Sequence, residues 1–324
     1  MIAHAKIKTD PIDAAVLAKL YASGFLPEVW VPDNQTHALR RQVARRTQLV
    51  RQRTRLKNLI QSILHAYLVP PCPHGNIAGA SGRKWLRRQE LPADEQKAIE
   101  RHLDLIRQIS ETLQEIETDI ARHAMADPVI RRLMTLPGVD MTVASGLAAA
   151  IGDIGRFPEP QHLVGYLGLN PSVRQSGEGP AYHGRITKQG RGQARGMLVE
   201  AAWAAARSPG PVRAFFMRIA ARRGQHIAVV ATARKLAMIL WHMLKKEQDY
   251  IWARPSLVAR KLRAVELRSG LPSQRGPSRG AAYLYNLPAH RALERERVET
   301  AEADYRAFTA KWKPRPARSA RRAK

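Results

Sequence analysis

Apolar positions along this chain recur mostly at helical intervals. An Ala- and Leu-rich stretch over residues 11–23 stops at Ser23-Gly24 and predicts a first helix. A short extended piece follows, Leu26-Pro27-Glu28-Val29-Trp30-Val31-Pro32, and then a long helix from Gln35 to Tyr67, halted by Pro70, Pro71 and Pro73. A third helix is expected from Ala93 to Ala124. Within it Ile99, Leu103, Ile106, Ile109, Leu113, Ile116 and Ile120 are spaced 4, 3, 3, 4, 3 and 4. Such a heptad-like seam needs a partner helix. Two partners would bury it: the preceding helix of the same chain, folded back as an antiparallel hairpin, or another copy in an intermolecular coiled coil. More helices are expected over 141–150, before Gly165, and over 193–207, 229–246 and 289–312. The expected fold class is mainly α.

Punctuation is densest in the middle. Leu136-Pro137-Gly138-Val139-Asp140 lies between helical segments and resembles a helix-hairpin-helix, whose glycine turn aims backbone N–H groups at a DNA phosphate. Asp140 stands where the second glycine of that hairpin is usual, and it would equally cap the next helix. A plain helical turn therefore remains the alternative, and Gly138 the candidate contact. The stretch Ser172-Val173-Arg174-Gln175-Ser176-Gly177-Glu178-Gly179-Pro180 is rich in turn residues and leads to Arg185-Ile186-Thr187-Lys188-Gln189-Gly190. A hydroxyl beside glycine in a basic loop is what phosphoryl transfer needs, although Ser-Gly pairs are also ordinary turn chemistry.

Charge sharpens the picture. The 324 residues carry 54 Lys or Arg against 27 Asp or Glu, a formal charge of +27, which points to a polyanionic partner. Length suggests about two domains. Eight cations and no acid lie between Arg40 and Lys57: Arg40, Arg41, Arg45, Arg46, Arg51, Arg53, Arg55 and Lys57. A solvated helix usually interleaves acids, so this one is expected to face nucleic acid; with no aromatic residue interleaved, duplex or structured RNA backbone fits better than stacked single strands. Trp30, Trp85 and Trp203 are read as core or interface. A lone Cys72 excludes a disulfide framework and fits a reducing compartment, and the eleven His show no zinc spacing. No run of about 18 uncharged apolar residues suggests a membrane span, and no signal peptide is read. The tail from Lys311 to Lys324 offers almost nothing to bury.

Taken in order, Lys8-Thr9-Asp10-Pro11-Ile12-Asp13-Ala14, the Arg-rich Leu49–Asn58 stretch, Leu136-Pro137-Gly138-Val139, Gly168-Leu169-Asn170-Pro171, Gln175-Ser176-Gly177 and Arg185–Gly190 form a series. It resembles that of the insertion-sequence transposases of the IS110 family, in its IS1111 branch, over about residues 5–255. The resemblance implies an N-terminal RuvC-like domain with Asp, Glu, Asp, Asp metal ligands, a helical hairpin or coiled coil, and a C-terminal domain with a nucleophilic serine. Residues 1–33 would be the remnant of the RuvC-like domain, 34–127 the hairpin, 128–255 the serine transposase domain, and 256–324 a basic tail, partly helical and partly disordered. Asp10 and Asp13 match the last two metal ligands, for Mg²⁺, and Ser176 the nucleophile. Arg185 and Lys188 would lie near phosphate. Arg174, together with Arg41, Arg45, Arg46, Arg51, Arg53, Arg55, Lys57 and Gly138, completes the expected nucleic-acid surface. DNA at the element ends and target, an element-encoded guide RNA and further copies of the chain would be the partners, in the bacterial cytoplasm near the nucleoid and with no membrane.

The first Asp and the Glu of the metal set have no counterpart, so the ligand set is expected to be incomplete. Asp10-Pro11-Ile12-Asp13 also reads as a helix start, with Asp10 as cap and Pro11 at the first position. Two functions follow: a transposase that cleaves and rejoins DNA, or a non-catalytic DNA/RNA-binding derivative of one.

Overall fold

The computed structural model describes residues 9–26, 29–175, 181–273 and 287–312. It divides into a short unit, residues 1–35, and a large one, 36–324. In the first, α1 spans Asp10–Ala22 and buries none of its residues. Thr9, rather than Asp10, is its N-cap; Asp10 is already helical, and the Asp13 amide donates to Thr9 O at 3.0 Å. Pro11 sits in the first turn, where its missing N–H costs nothing.

Two long helices open the larger unit, α2 (Asn34–Ala66) and α4 (Ala93–Ala126), with a short α3 (Ala80–Leu86) between them. They run antiparallel. Leu39 and Val43 share one cluster with Ile120, Ala121 and Ala124, whereas Ile60 and Leu64 share another with Ile99, Leu103 and Ile106. The heptad-like seam thus finds its partner in the preceding helix of the same chain. Ile109 and Ile116 are only half-buried. Glu117 of α4 accepts from Arg46 of α2, 2.6 Å at the nearer nitrogen, and lies 3.6 Å from Arg268, tying three helices together. Cys72 is a free thiol, and both it and Trp85 pack against the second cluster, around Leu103.

After α5 (Pro128–Leu133) and the Leu136–Val139 turn come α6 (Met141–Ile151), a single 3₁₀ turn (Ile154–Arg156) and α7 (Pro160–Tyr166). Two strands, β1 (Pro171–Arg174) and β2 (Tyr182–Ile186), pair antiparallel with Pro171 opposite Ile186 and Arg174 opposite Tyr182. The turn-rich sequence of this stretch predicts no strands, and the pairing forms across it all the same. Next follow α8 (Gly192–Ala205), α9 (Pro211–Arg223) and α10 (Gln225–Lys245). The last of these is the core rod, burying Ala228, Thr232, Leu236 and Leu240 among α7, α8 and α9. By length and composition alone α10 could cross a membrane. Here it packs inside a folded body, and the Trp241 indole donates to Phe157 O at 2.9 Å.

Two helices complete the body, α11 (Pro255–Arg268) against α4 and α12 (Pro288–Ala310) against α9 and α11. The Tyr283–Tyr285 stretch and the tail beyond Trp312 lie outside the described residues. Mainly helical architecture is as expected.

Candidate nucleic-acid interface

The cationic run from Arg40 to Lys57 falls wholly on α2, and its members part ways. Arg41, Arg45, Arg51 and Arg55 are exposed. Arg46 turns inward to Glu117, which makes it an internal tie. Arg53 and Lys57 are half-buried; the Lys57 ammonium donates to Asn76 Oδ1 at 3.2 Å, and burial, aided by the neighbouring Arg53 charge, lowers its pKa.

Where α2 passes the start of α8, two hollows of about 370 and 430 Å³ adjoin, sharing Ala44 and Gln193 in their walls. The first is lined on α2 by Thr47, Gln48, Arg51, Gln52 and Arg55. The second runs on past Arg40 to the Gly190-Arg191-Gly192 turn. Gln193 fastens their common wall, donating from Nε2 to Thr47 Oγ1 at 2.6 Å. Among the described residues no acid lines either hollow, so four guanidiniums, those of Arg40, Arg51, Arg55 and Arg191, set its potential.

One wall is built around the end of α6. The last carbonyls of a helix have no partner within it and carry its negative dipole end, so cations gather there. Ala149 O and Ala150 O accept from Arg40 at 2.6 and 3.1 Å, and Ile151 O accepts from Arg156 Nε at 3.0 Å. The Tyr166 hydroxyl also donates to Ala150 O, at 3.1 Å, and accepts from Arg191 Nε at 2.8 Å. Arg156 lies 4.4 Å over the Tyr166 ring. Burial pushes the Tyr166 phenol up, but hydrogen bonds from Arg156 and Arg191, with their charges, outweigh it and leave the pKa below the ordinary value. Burial likewise lowers that of Arg40; the Tyr166 phenol opposes the shift, while the charges of Arg191 and Arg156 add to it.

The Arg185–Gly190 motif is laced onto the segment after α7. Thr187, Lys188 and Arg191 donate their amides to Asn170 O, Gly168 O and Tyr166 O at 2.9, 3.2 and 3.0 Å. Arg195 Nη1 bridges Leu167 O and Lys188 O, 3.1 Å each. Gly190 has φ +109°, and a Cβ there would stand 2.2 Å from Tyr166 O, so the close approach excludes any side chain. Arg174, Arg185 and Lys188 are exposed. Ser176 lies outside the described residues, which reach Gln175, just after β1, and resume at Ala181 before β2.

Gly138 is placed differently from the expected phosphate contact. At φ +80° a Cβ would stand 2.2 Å from Ala201 O, so this glycine admits the backbone of α8. Asp140 takes the capping role, accepting from the Val143 amide at 2.9 Å. The packing thus favours the plain helical turn. Trp203 is half-buried against Phe216 and His226.

Asp10 and Asp13 share the first turn of α1, in the short unit. Among the described residues no cluster of three His, Cys, Asp or Glu exists. A pair of carboxylates without a third ligand does not fit a two-metal centre.

Sequence reasoning missed Tyr166, Arg191 and Gln193. The signal available was small: an aromatic before the Gly168 turn, and a Gly-Arg-Gly at a helix start.

Comparison with known proteins agrees with the motif series. The family described as "Transposase IS116/IS110/IS902 family" matches residues 130–217, and the IS110-type DEDD transposase family matches residues 2–69. A Sinorhizobium fredii protein named as the transposase y4qE is 38% identical over 203 residues, 61% of this chain and 48% of that protein. A Pseudomonas aeruginosa protein named as a family 20 transposase is 27% identical over 250 residues, 75% of this chain and 74% of its own. The transposase for insertion sequence element IS1111A of Coxiella burnetii is 27% identical over 220 residues, covering 63% and 58%. Against the first of these, the chain spans about half the relative's length. Over residues 2–69 and 130–217, at its start and through its core, the chain is similar to the transposases of the IS110/IS116/IS902 family.

Proposed function

We propose that this chain acts in transposition of an insertion sequence, binding DNA and cleaving and rejoining its strands. The observation that carries the reading is the occurrence, in one chain, of both family regions with a cationic groove between α2 and α8 that no acid lines among the described residues. Ser176 is the nucleophile of this reading. Its Oγ loses a proton, bonds to a backbone phosphorus, and the departing deoxyribose oxygen takes up a proton, leaving a phosphoserine link. Arg174 on β1, Arg185 on β2 and Lys188 in the loop that follows, all exposed, would steady the negative charge.

The DEDD family implies use of a divalent metal in general. Magnesium at Asp10 and Asp13 would need ligands beyond these two, and no step is assigned to it. An element-encoded RNA that pairs with donor and target, a homo-oligomeric assembly and a nucleoid location in the bacterial cytoplasm belong to the same proposal.

The test is covalent trapping on a radiolabelled element-end duplex, with the element RNA supplied, comparing wild type with Ser176→Ala. A denaturation-resistant protein–DNA adduct is expected with wild type alone. An adduct in both proteins, or in neither, removes Ser176 from the role.

A further inference from the structure

Outside the residues that the motif series singled out, the strongest unassigned feature is the wall of the groove formed by Tyr166, Arg191 and Gln193. Resting on the DNA-binding reading above, we propose that Arg191 on one side and Arg51 with Arg55 on the other form a clamp for the phosphate backbone of duplex DNA. In this arrangement Tyr166 is the positioning residue of Arg191.

Four observations support the clamp. Arg51 and Arg55 are one helical turn apart, exposed, and form no hydrogen bond or ion pair among the described residues. In the adjoining hollow the exposed Arg191 is held at three points: its amide donates to Tyr166 O at 3.0 Å, its Nε to the Tyr166 hydroxyl at 2.8 Å, and its guanidinium lies 5.7 Å from the ring centroid. A guanidinium tethered through one nitrogen keeps its remaining N–H donors for a ligand, and its ordering has been settled before the ligand arrives. The two sides cannot drift apart freely, because the Gln193–Thr47 hydrogen bond closes the wall between them. Finally, the lining is cationic and amide-rich, with no acid and no aromatic ring among the described residues of the Arg51–Arg55 hollow. Unstacked bases would find no platform there, so the groove suits a paired backbone.

Binding of the full chain to a fluorescent 30-base-pair DNA duplex, titrated across salt concentrations, tests this. Arg191→Ala and the Arg51→Ala/Arg55→Ala pair should each weaken binding about five-fold or more, and should lower the slope of log affinity against log salt by about one unit per arginine removed. Arg122→Ala, on the outer face of α4 beside Asp119, serves as control and should change neither. Tyr166→Phe keeps both charge and ring; it should weaken binding in the wild-type background and add nothing once Arg191 is alanine. Urea midpoints of each variant show whether the fold is intact.

Duplex binding by wild type with unchanged affinity and slope in the arginine variants overturns the clamp while leaving DNA binding in place. Equal losses for Tyr166→Phe with and without Arg191 overturn the positioning role. Tighter binding of the same-length single strand or RNA duplex, dependent on the same arginines, overturns the choice of partner. No binding to any probe by wild type defeats the underlying reading, and the clamp with it.

Discussion

Lys261 of α11 has its ammonium within 2.7 Å of two backbone carbonyls, Met134 O and Leu136 O, at the mouth of the Leu136–Val139 turn. Burial lowers its pKa to about 8, only partly opposed by the charge of Asp140. The unfolded chain therefore holds this proton up to the ordinary lysine range while the folded one releases it earlier. Between those two values the unfolded state binds more protons, so stability from this group rises with pH; below about 8 its full penalty remains. Wild type should gain about 1–3 kcal/mol relative to Lys261→Met between pH 7.5 and 10.5 in urea denaturation. An unchanged difference across that range would show that the amine titrates normally. The same turn marks what was hard to read at this scale. A glycine that admits a neighbouring helix and one that admits a phosphate look alike in sequence, because the α8 backbone lies over sixty residues away in the chain. Arg46 was misleading for the same reason: nothing local distinguishes it from Arg45, and its partner Glu117 stands on another helix. The Asp140 cap was legible because its partner, the Val143 amide, is three residues on.

At the scale of elements, α12 is fixed by two carboxylates at the starts of other helices. Glu302, 3% exposed, accepts from the Gly210 amide and from Arg213, both at 2.9 Å, and pairs with Arg306. Glu294 accepts from the Ser256 amide at 2.9 Å. Anions at helix N-termini complement the exposed N–H groups and dipole of α9 and α11. Glu302→Ala should release α12, at a cost of about 2–4 kcal/mol, since Arg213 and the Gly210 amide lose their shared acceptor. Limited proteolysis within residues 288–310 should accelerate while α10 stays protected from hydrogen exchange; equal protection of α12 in both proteins would contradict this. Long helices were legible to within a few residues, because α2, α4 and α10 repeat their apolar positions over many turns. The helices α3, α9 and α11 were not, nor were the strands. Short or Arg-interrupted segments such as Pro211–Arg223 bury only Val212, Ala214 and Phe216, and neighbours rather than periodicity hold them helical.

For the whole molecule the net charge of +27 means that folding compresses like charges. Screening should relieve that repulsion. Raising monovalent salt from about 20 to 300 mM should lift the melting temperature by several degrees, and a short DNA duplex should do so at far lower concentration. A melting temperature that falls with salt would mean that ion pairs such as Arg46–Glu117 outweigh the repulsion. The same body contains an asymmetry of a mechanical kind. No residue of α2 between Val43 and Ile60 is buried, a span of about 26 Å along that helix, and on α4 only Leu113 is buried between Ile106 and Ile120, so two continuous rods join the outer cluster around Leu103 to the main core. With the rods gripped at their base by Glu117, Arg46 and Arg268, a tilt of about 10° there would swing the far end by about 5 Å, enough to turn a small strain at the root into a change of reach.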